Sequence, residues 1–137
     1  MELKNIRGKV VNKNVVPYLI DWDGPSLSKF QFNVKQFFKP FWIGHVVFEE
    51  FPVFGSRLRV DILNATKMIA VEVNGDQHSE YVEFFHQNEG EFFRTMQRDI
   101  LKIQWLESNR FRVIEIVPTD LPLSPESIFE KFEIEIL

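Results

Sequence analysis

The 137-residue chain contains no cysteine, so it forms no disulfide and offers no thiolate to a zinc ion. A reducing compartment is therefore permitted. No apolar run approaches the ~20 residues that a helix needs to span a bilayer. The first residues, Met1 to Val11, are mixed and charged and lack the apolar stretch of a signal peptide. These absences lead us to expect a soluble cytoplasmic protein with no membrane partner. There is also no repeat, no low-complexity tract and no linker-like stretch, and the length suits one domain with a sizeable core. What the chain has in excess is phenylalanine, 15 residues of 137, within a hydrophobic content of 45%. Such a load argues against disorder, which needs low hydrophobicity and few aromatics.

The formal net charge of −4, taken whole, speaks against a nucleic-acid partner. The average hides an asymmetry. Residues 1–60 hold nine Lys/Arg against five Asp/Glu, whereas residues 61–137 hold seven against fifteen. One reading is a solvated acidic tail. The other is a basic surface, carried by Lys4, Arg7, Lys9, Lys13, Lys29, Lys35 and Lys39, beside a site that needs carboxylates.

Along the chain, residues 1–26 read as an N-terminal arm or edge strand, because Asn residues and Pro17 interrupt the β-prone run 9–22. Residues 27–137 read as an α/β core. Ser28 is placed to cap a helix to Phe38 or Phe41, where Pro40 intervenes. The segments Val46–Phe54, Arg57–Leu63 and Met68–Val73 read as strands joined by hairpin turns at Gly55-Ser56 and Asn64–Lys67. Residues 74–90 read as a polar and aromatic loop. Glu91–Glu107 has helical periodicity, with Phe92, Met96, Ile100, Ile103 and Leu106 as its apolar stripe. Phe111–Val117 is a fourth strand, and Ser124-Pro125 opens a terminal helix. The strand–helix–strand crossover favours parallel pairing of 68–73 with 111–117. The expected fold is a mixed four-stranded sheet, an antiparallel meander plus one parallel strand, flanked by helices. Most of the rings in Phe37-Phe38-Lys39-Pro40-Phe41-Trp42 are expected in the core, the alternative being a self-association surface.

Hairpin arithmetic gathers carboxylates. A four-residue Asn64–Lys67 loop pairs Leu63 with Met68 and sets Asp61 diagonal to Glu72 on one face, with Val60, Ile62, Ile69, Val71 and Val73 on the other. A Gly55-Ser56 turn brings Glu50 opposite Asp61, and a bulge at Pro52 would substitute Glu49. Like charges side by side on a sheet repel, and a hard cation such as Mg²⁺ relieves that repulsion. The competing reading is ion pairing with Arg57 and Arg59 on the same face. Beyond Glu72, a tight turn leads to Gln77 and His78, the latter within reach of a phosphate held by the cluster. His86 is expected to be structural, and His45 carries no signal. On the long helix, Glu91, Thr95, Arg98, Asp99 and Lys102 share one face. From there Asp99 can orient His78 and Lys102 can meet phosphate.

Together, Arg59-Val60-Asp61, the run Ala70-Val71-Glu72-Val73-Asn74-Gly75-Asp76-Gln77-His78, Arg98-Asp99-Ile100-Leu101-Lys102 and Phe111-Arg112-Val113-Ile114-Glu115-Ile116 resemble the PD-(D/E)XK nuclease superfamily. The resemblance covers about residues 45–117. It is nearest to the very-short-patch-repair-like branch, whose phage and intron homing endonucleases carry an E-D-x-H-D pattern. It implies a restriction-endonuclease-like core, double-stranded DNA as partner, and Mg²⁺ as cofactor with Mn²⁺ able to substitute. It also implies a cytoplasmic setting in a bacterial host, with the gene carried by a phage or mobile element. Residue by residue, it makes Asp61 the central metal ligand and Glu72 the carboxylate of the E-x-K element. His78 and Asp99 become the pattern's His and last Asp, Glu50 its leading Glu, and Gln77 a supporting contact. Two positions depart from the superfamily pattern. Asn74 stands where a lysine is expected, which leaves its role to His78 or Lys102, and Val60 precedes Asp61 in place of proline.

The reaction expected from this resemblance is Mg²⁺-dependent hydrolysis of a DNA phosphodiester. His78, held by Asp99, serves as general base or acid. Arg57, Arg59, Arg98 and Lys102 contact phosphates, which gives affinity without sequence information. A single core of this size cuts one strand per site, so a double-strand cut calls for a homodimer or successive nicks. Two alternatives share the fold: a Holliday-junction-resolvase-like nuclease, and a DNA-binding protein with an impaired site.

Overall fold

The computed structural model describes residues 1–75 and 89–137, with Glu89, Glu91 and Phe92 described by backbone only. The chain begins with an antiparallel ribbon of β1 (Glu2–Lys4) and β2 (Val10–Asn12). The sequence pattern misses β1, because three residues are too few to display a period. The ribbon is also no free arm. Ile6 N–H donates to Phe54 O at 2.9 Å, and the Trp105 indole N–H donates to Lys4 O at 2.6 Å.

Helix α1 (Lys29–Trp42) starts where expected, with Ser28 Oγ accepting the Gln31 N–H at 3.0 Å. It runs past Pro40, whose ring removes one backbone donor, and it is held by burial of its apolar face. Phe38 and Trp42 are fully buried and stack at 4.3 Å, while Phe37 and Phe41 pack half-buried beside them. These rings belong to the core rather than to a self-association surface.

Strands β3 (Val47–Pro52), β4 (Arg59–Asn64), β5 (Ile69–Val73) and β6 (Arg112–Ile116) form one sheet in that order, antiparallel except for the parallel β5–β6 pair. The β3–β4 register is the expected one, Phe51 opposite Val60 and Pro52 opposite Arg59. The β4–β5 register differs by two residues. Leu63 pairs with Ala70, not Met68, and the turn is Ala65–Met68. Buried Asn64 causes the shift. It stays in β4, and its Oδ1 accepts the Lys67 N–H at 2.8 Å, so the turn forms one residue later. Met68 closes that turn in the left-handed region, with φ 58°. A two-residue slip preserves the faces, so the hydrophobic pattern could not detect it.

Helix α2 (Glu89–Ser108) crosses from β5 back to β6, and α3 (Pro125–Phe132) opens on the Ser124 cap. One sheet face packs against α1, α3 and the returning tail, where Ile134 and Ile136 are buried and Ile136 O accepts the Trp42 indole N–H at 2.9 Å. Glu133 and Glu135 lie in that tail, beyond the helix. The other face packs against the ribbon and the C-terminal half of α2 through Trp105 and Leu106. Val60 belongs to this second cluster, contrary to strict alternation; across the sheet it faces Phe51, and the preceding residue of β3, Glu50, has φ 54° and turns that strand locally. Among the described side chains of the expected apolar stripe of α2, only Leu106 is buried, for Met96, Ile100 and Ile103 are exposed. At ~1.5 Å per residue, a 20-residue helix outreaches five-residue strands at ~3.3 Å each, so its N-terminal half overshoots the sheet.

Candidate functional site

The overshoot opens a cleft of about 270 Å³ between α2 and the ends of β5 and β6. Its floor carries Asp61 and Glu72. The observed β4–β5 register, continued by one step, sets them directly opposite each other rather than diagonal. Each is pinned by the other strand. The Val73 N–H donates to Asp61 Oδ2 at 2.7 Å, and the Asp61 N–H donates to Glu72 Oε2 at 3.1 Å. Lys102, reaching down from α2, places Nζ 2.6 Å from Glu72 Oε1. Asp99, one turn earlier, lines the same cleft. The counter-charge to the pair is thus Lys102 and not Arg57 or Arg59, which are exposed on and before β4.

The electrostatics follow from this crowding. Burial, then the Glu72 charge, push the Asp61 carboxyl up to about 7. Burial also raises Asp99; Lys102 opposes the rise and Glu115 adds to it. Burial alone would lower the Lys102 ammonium, but Glu72, then Asp61 and Asp99, outweigh it and hold the group above its ordinary value. The cleft therefore concentrates negative charge around a single described ammonium.

Glu115 is a cleft residue that the sequence reading left unassigned. Parallel in-register pairing sets it beside Glu72, and the Asn74 amide lies 3.5 Å from its Oε1. The signal was present in the crossover, since a parallel partner of β5 must offer a residue level with Glu72.

Glu50 does not line this cleft, although it lies near enough to Asp61 to feel its charge. Its Oε1 accepts from Gln31 Nε2 of α1 at 3.1 Å, and burial raises its pKa despite that bond. Glu49, the other candidate, is tied to Ser26 Oγ at 2.6 Å and to Lys35 Nζ at 3.0 Å. Lys35 is completely buried, donating also to the carbonyls of Asp21 and Gly24, so it cannot contribute to a basic outer surface as the sequence suggested. Lys4, Arg7, Lys9, Lys13, Lys29 and Arg98 are exposed, whereas Lys39 pairs with Asp23 at 2.7 Å. His45 Nδ1 meets the Asn64 amide at 3.1 Å. Gln77, His78 and His86 lie outside the described residues, as does the Glu91 side chain.

Among the described residues, no group of three or more His, Cys, Asp or Glu side chains is gathered closely enough to hold a metal. The Asp61–Glu72 pair nevertheless suits Mg²⁺, which is usually bound by one or two carboxylates and keeps several waters. Among those residues no helix is long and apolar enough to cross a membrane.

No protein-family model matches the chain, and no solved structure matches it at a significant level. A search of curated proteins finds uncharacterized protein 033L of Invertebrate iridescent virus 3, 35% identical over 85 residues. That match covers 62% of this chain and 43% of the viral protein, so the chain spans less than half the length of its relative.

Proposed function

We propose that the chain is a metal-dependent endonuclease acting on double-stranded DNA, built on a restriction-endonuclease-like core. The observation that carries this reading is the Asp61–Glu72 pair, two carboxylates from adjacent strands forced together in an open cleft beside the Lys102 ammonium. A carboxylate pair that costs stability by its repulsion is accounted for when a hard cation is its working partner. Asp61 and Glu72 would hold Mg²⁺, which when bound polarises a phosphate and lowers the pKa of a water.

The chain's own groups supply the rest. The backbone bonds between β4 and β5 fix both carboxylates against side-chain rotation. Lys102, on a helix that crosses the cleft, offers a cation for a phosphate oxygen and takes over the role vacated at Asn74. Exposed Arg57, Arg59 and Arg98 are available to backbone phosphates. His78 remains the proposed proton-transfer group, with Asp99 as its orienting partner and Gln77 in support, while Glu50, outside the cleft, would act on the site only through its charge near Asp61. Proton transfer by a positioned side chain typically contributes ~10²–10⁴-fold. A phage or mobile element as carrier of the gene is part of this proposal; the relative, an uncharacterized protein, comes from a virus of a different kind of host.

A second reading, a DNA-binding protein with an impaired site, is favoured by one observation: both Glu72 oxygens are already engaged by protein donors. Supercoiled plasmid, linear duplex, nicked duplex and a four-way junction, each incubated with Mg²⁺ or with EDTA, separate these readings. The endonuclease reading expects Mg²⁺-dependent cutting that Asp61→Ala abolishes while duplex binding persists. Preference for the junction would make the protein resolvase-like. Binding without cutting on every substrate would leave the impaired form, and cutting by Asp61→Ala at the parent's rate would refute the site.

A further inference from the structure

Of the four carboxylate oxygens in the Asp61–Glu72 pair, three are held by protein donors. Two of those donors are the backbone N–H groups of Asp61 and Val73, fixed by the sheet. The third is the Lys102 ammonium, at the end of a flexible four-carbon stem, 2.6 Å from Glu72 Oε1. Its side chain is 17% exposed and that of Glu72 16%, so water reaches the contact and the ammonium has room to move into the cleft it lines. Asp99 and Glu115 line that same cleft and provide negative charge toward which a displaced ammonium can turn. For Glu72 to bind a cation through Oε1, Lys102 is therefore the partner that leaves.

We infer that Lys102 and the divalent cation compete for Glu72, so that Lys102 holds the metal-free site closed and is released into the cleft when the metal arrives. This inference rests on the metal-binding reading above and adds a regulatory step to it. The lysine acts first as an internal substitute for the cation. Once displaced, it becomes a free positive charge at the cleft, available to a phosphate. Cation and lysine then become available to the substrate together, and the carboxylate pair is at no stage left without a counter-charge.

Removing the ammonium should tighten metal binding, the opposite of what its loss would do if it merely supported the site. A unit positive charge near a divalent ion, in surroundings that water reaches, opposes binding by an amount equivalent to about tenfold or more in affinity. The test is Mn²⁺ binding to the full chain without DNA, followed by the paramagnetic signal of free Mn²⁺. Lys102→Met is expected to bind Mn²⁺ at least about tenfold more tightly than the parent, while Lys102→Arg, which keeps the charge, stays close to the parent. Circular dichroism establishes that each variant is folded, and Glu72→Gln in the Lys102→Met background should remove the gain. Parent binding that Lys102→Met leaves unchanged or weakens would overturn the competition while leaving the metal reading intact. Absence of Mn²⁺ binding in parent and variants alike would overturn both.

Discussion

Replacing Asp61 with asparagine should make the metal-free protein more stable at pH 8, although it removes a group central to the site. The fold raises the Asp61 carboxyl from its ordinary 3.8 to about 7, chiefly by burying it and then by setting Glu72 against it. The folded state therefore holds that proton more tightly than the unfolded chain does. The stabilising contribution of the protonated group is complete below pH ~4, is lost as pH rises toward ~7, and changes no further above that. A span of about three pH units at ~1.4 kcal/mol each bounds the loss near ~4 kcal/mol. The asparagine side chain would carry no charge, keeps the shape, and retains an oxygen for the Val73 N–H. The value of about 7 already includes the offset from Lys102, and with relaxation around the charged carboxylate we expect a gain of roughly 2–4 kcal/mol, or about 8–14 °C in Tm for a chain of this size. Urea and thermal unfolding of both proteins in EDTA, at steps from pH 4 to pH 8.5, measure it. The difference should open between pH 4 and 7 and then level off. A variant less stable than the parent at pH 8, or a difference independent of pH, would refute the account of Asp61 as a carboxylate held against its preference.

Lys35→Met should cost about 3–5 kcal/mol in urea unfolding, since it leaves the partly buried Glu49 without its counter-charge and two carbonyls without their donor; adding Glu49→Leu should recover much of the loss. Glu133, with φ 56° at the C-terminal end of α3, should gain roughly 0.5–1 kcal/mol on replacement by Gly, read as a rise in the urea midpoint. If β4 faces a duplex, Arg57→Ala with Arg59→Ala should weaken binding to all sequences alike and reduce the salt slope by about 2, as measured by fluorescence anisotropy across a salt series.

Legibility in the sequence followed the range of the interactions. Ser28 and Ser124 announced their helices because a cap is chemistry between residues three apart. The meander and the parallel return of β6 followed from apolar periodicity and from the handedness of crossovers. The β4–β5 register did not, because the decision lies in one Asn side chain that can either enter the turn or remain in the strand. Helix α2 is less buried than its periodicity suggests, since periodicity records which face is apolar and not how far the sheet extends beneath it. In the site, Asp61 and Glu72 were legible as neighbours, and Lys102 as a residue on the facing helix. The direct Lys102–Glu72 contact and the place of Glu115 depend on distances between elements that no local pattern encodes. Lys35 is the clearest inversion. Counted as surface charge, it is buried beneath the loop at Asp21 and Gly24.

The turn at Ala65–Met68 has a consequence for how this site can fail. Sliding β5 by two residues against β4 would return every apolar side chain to its own face, so the core would survive the error almost unchanged. The carboxylates would not keep their contacts, for Asp61 would stand diagonal to Glu72 instead of opposite it, and the bonds from the Val73 and Asp61 N–H groups that pin the pair would be lost. Asn64, at the far end of β4 from Arg59, therefore guards the chemistry of the cleft without lining it. Damage to that turn would produce a protein that is folded around an intact core and out of line at the place where its charges meet.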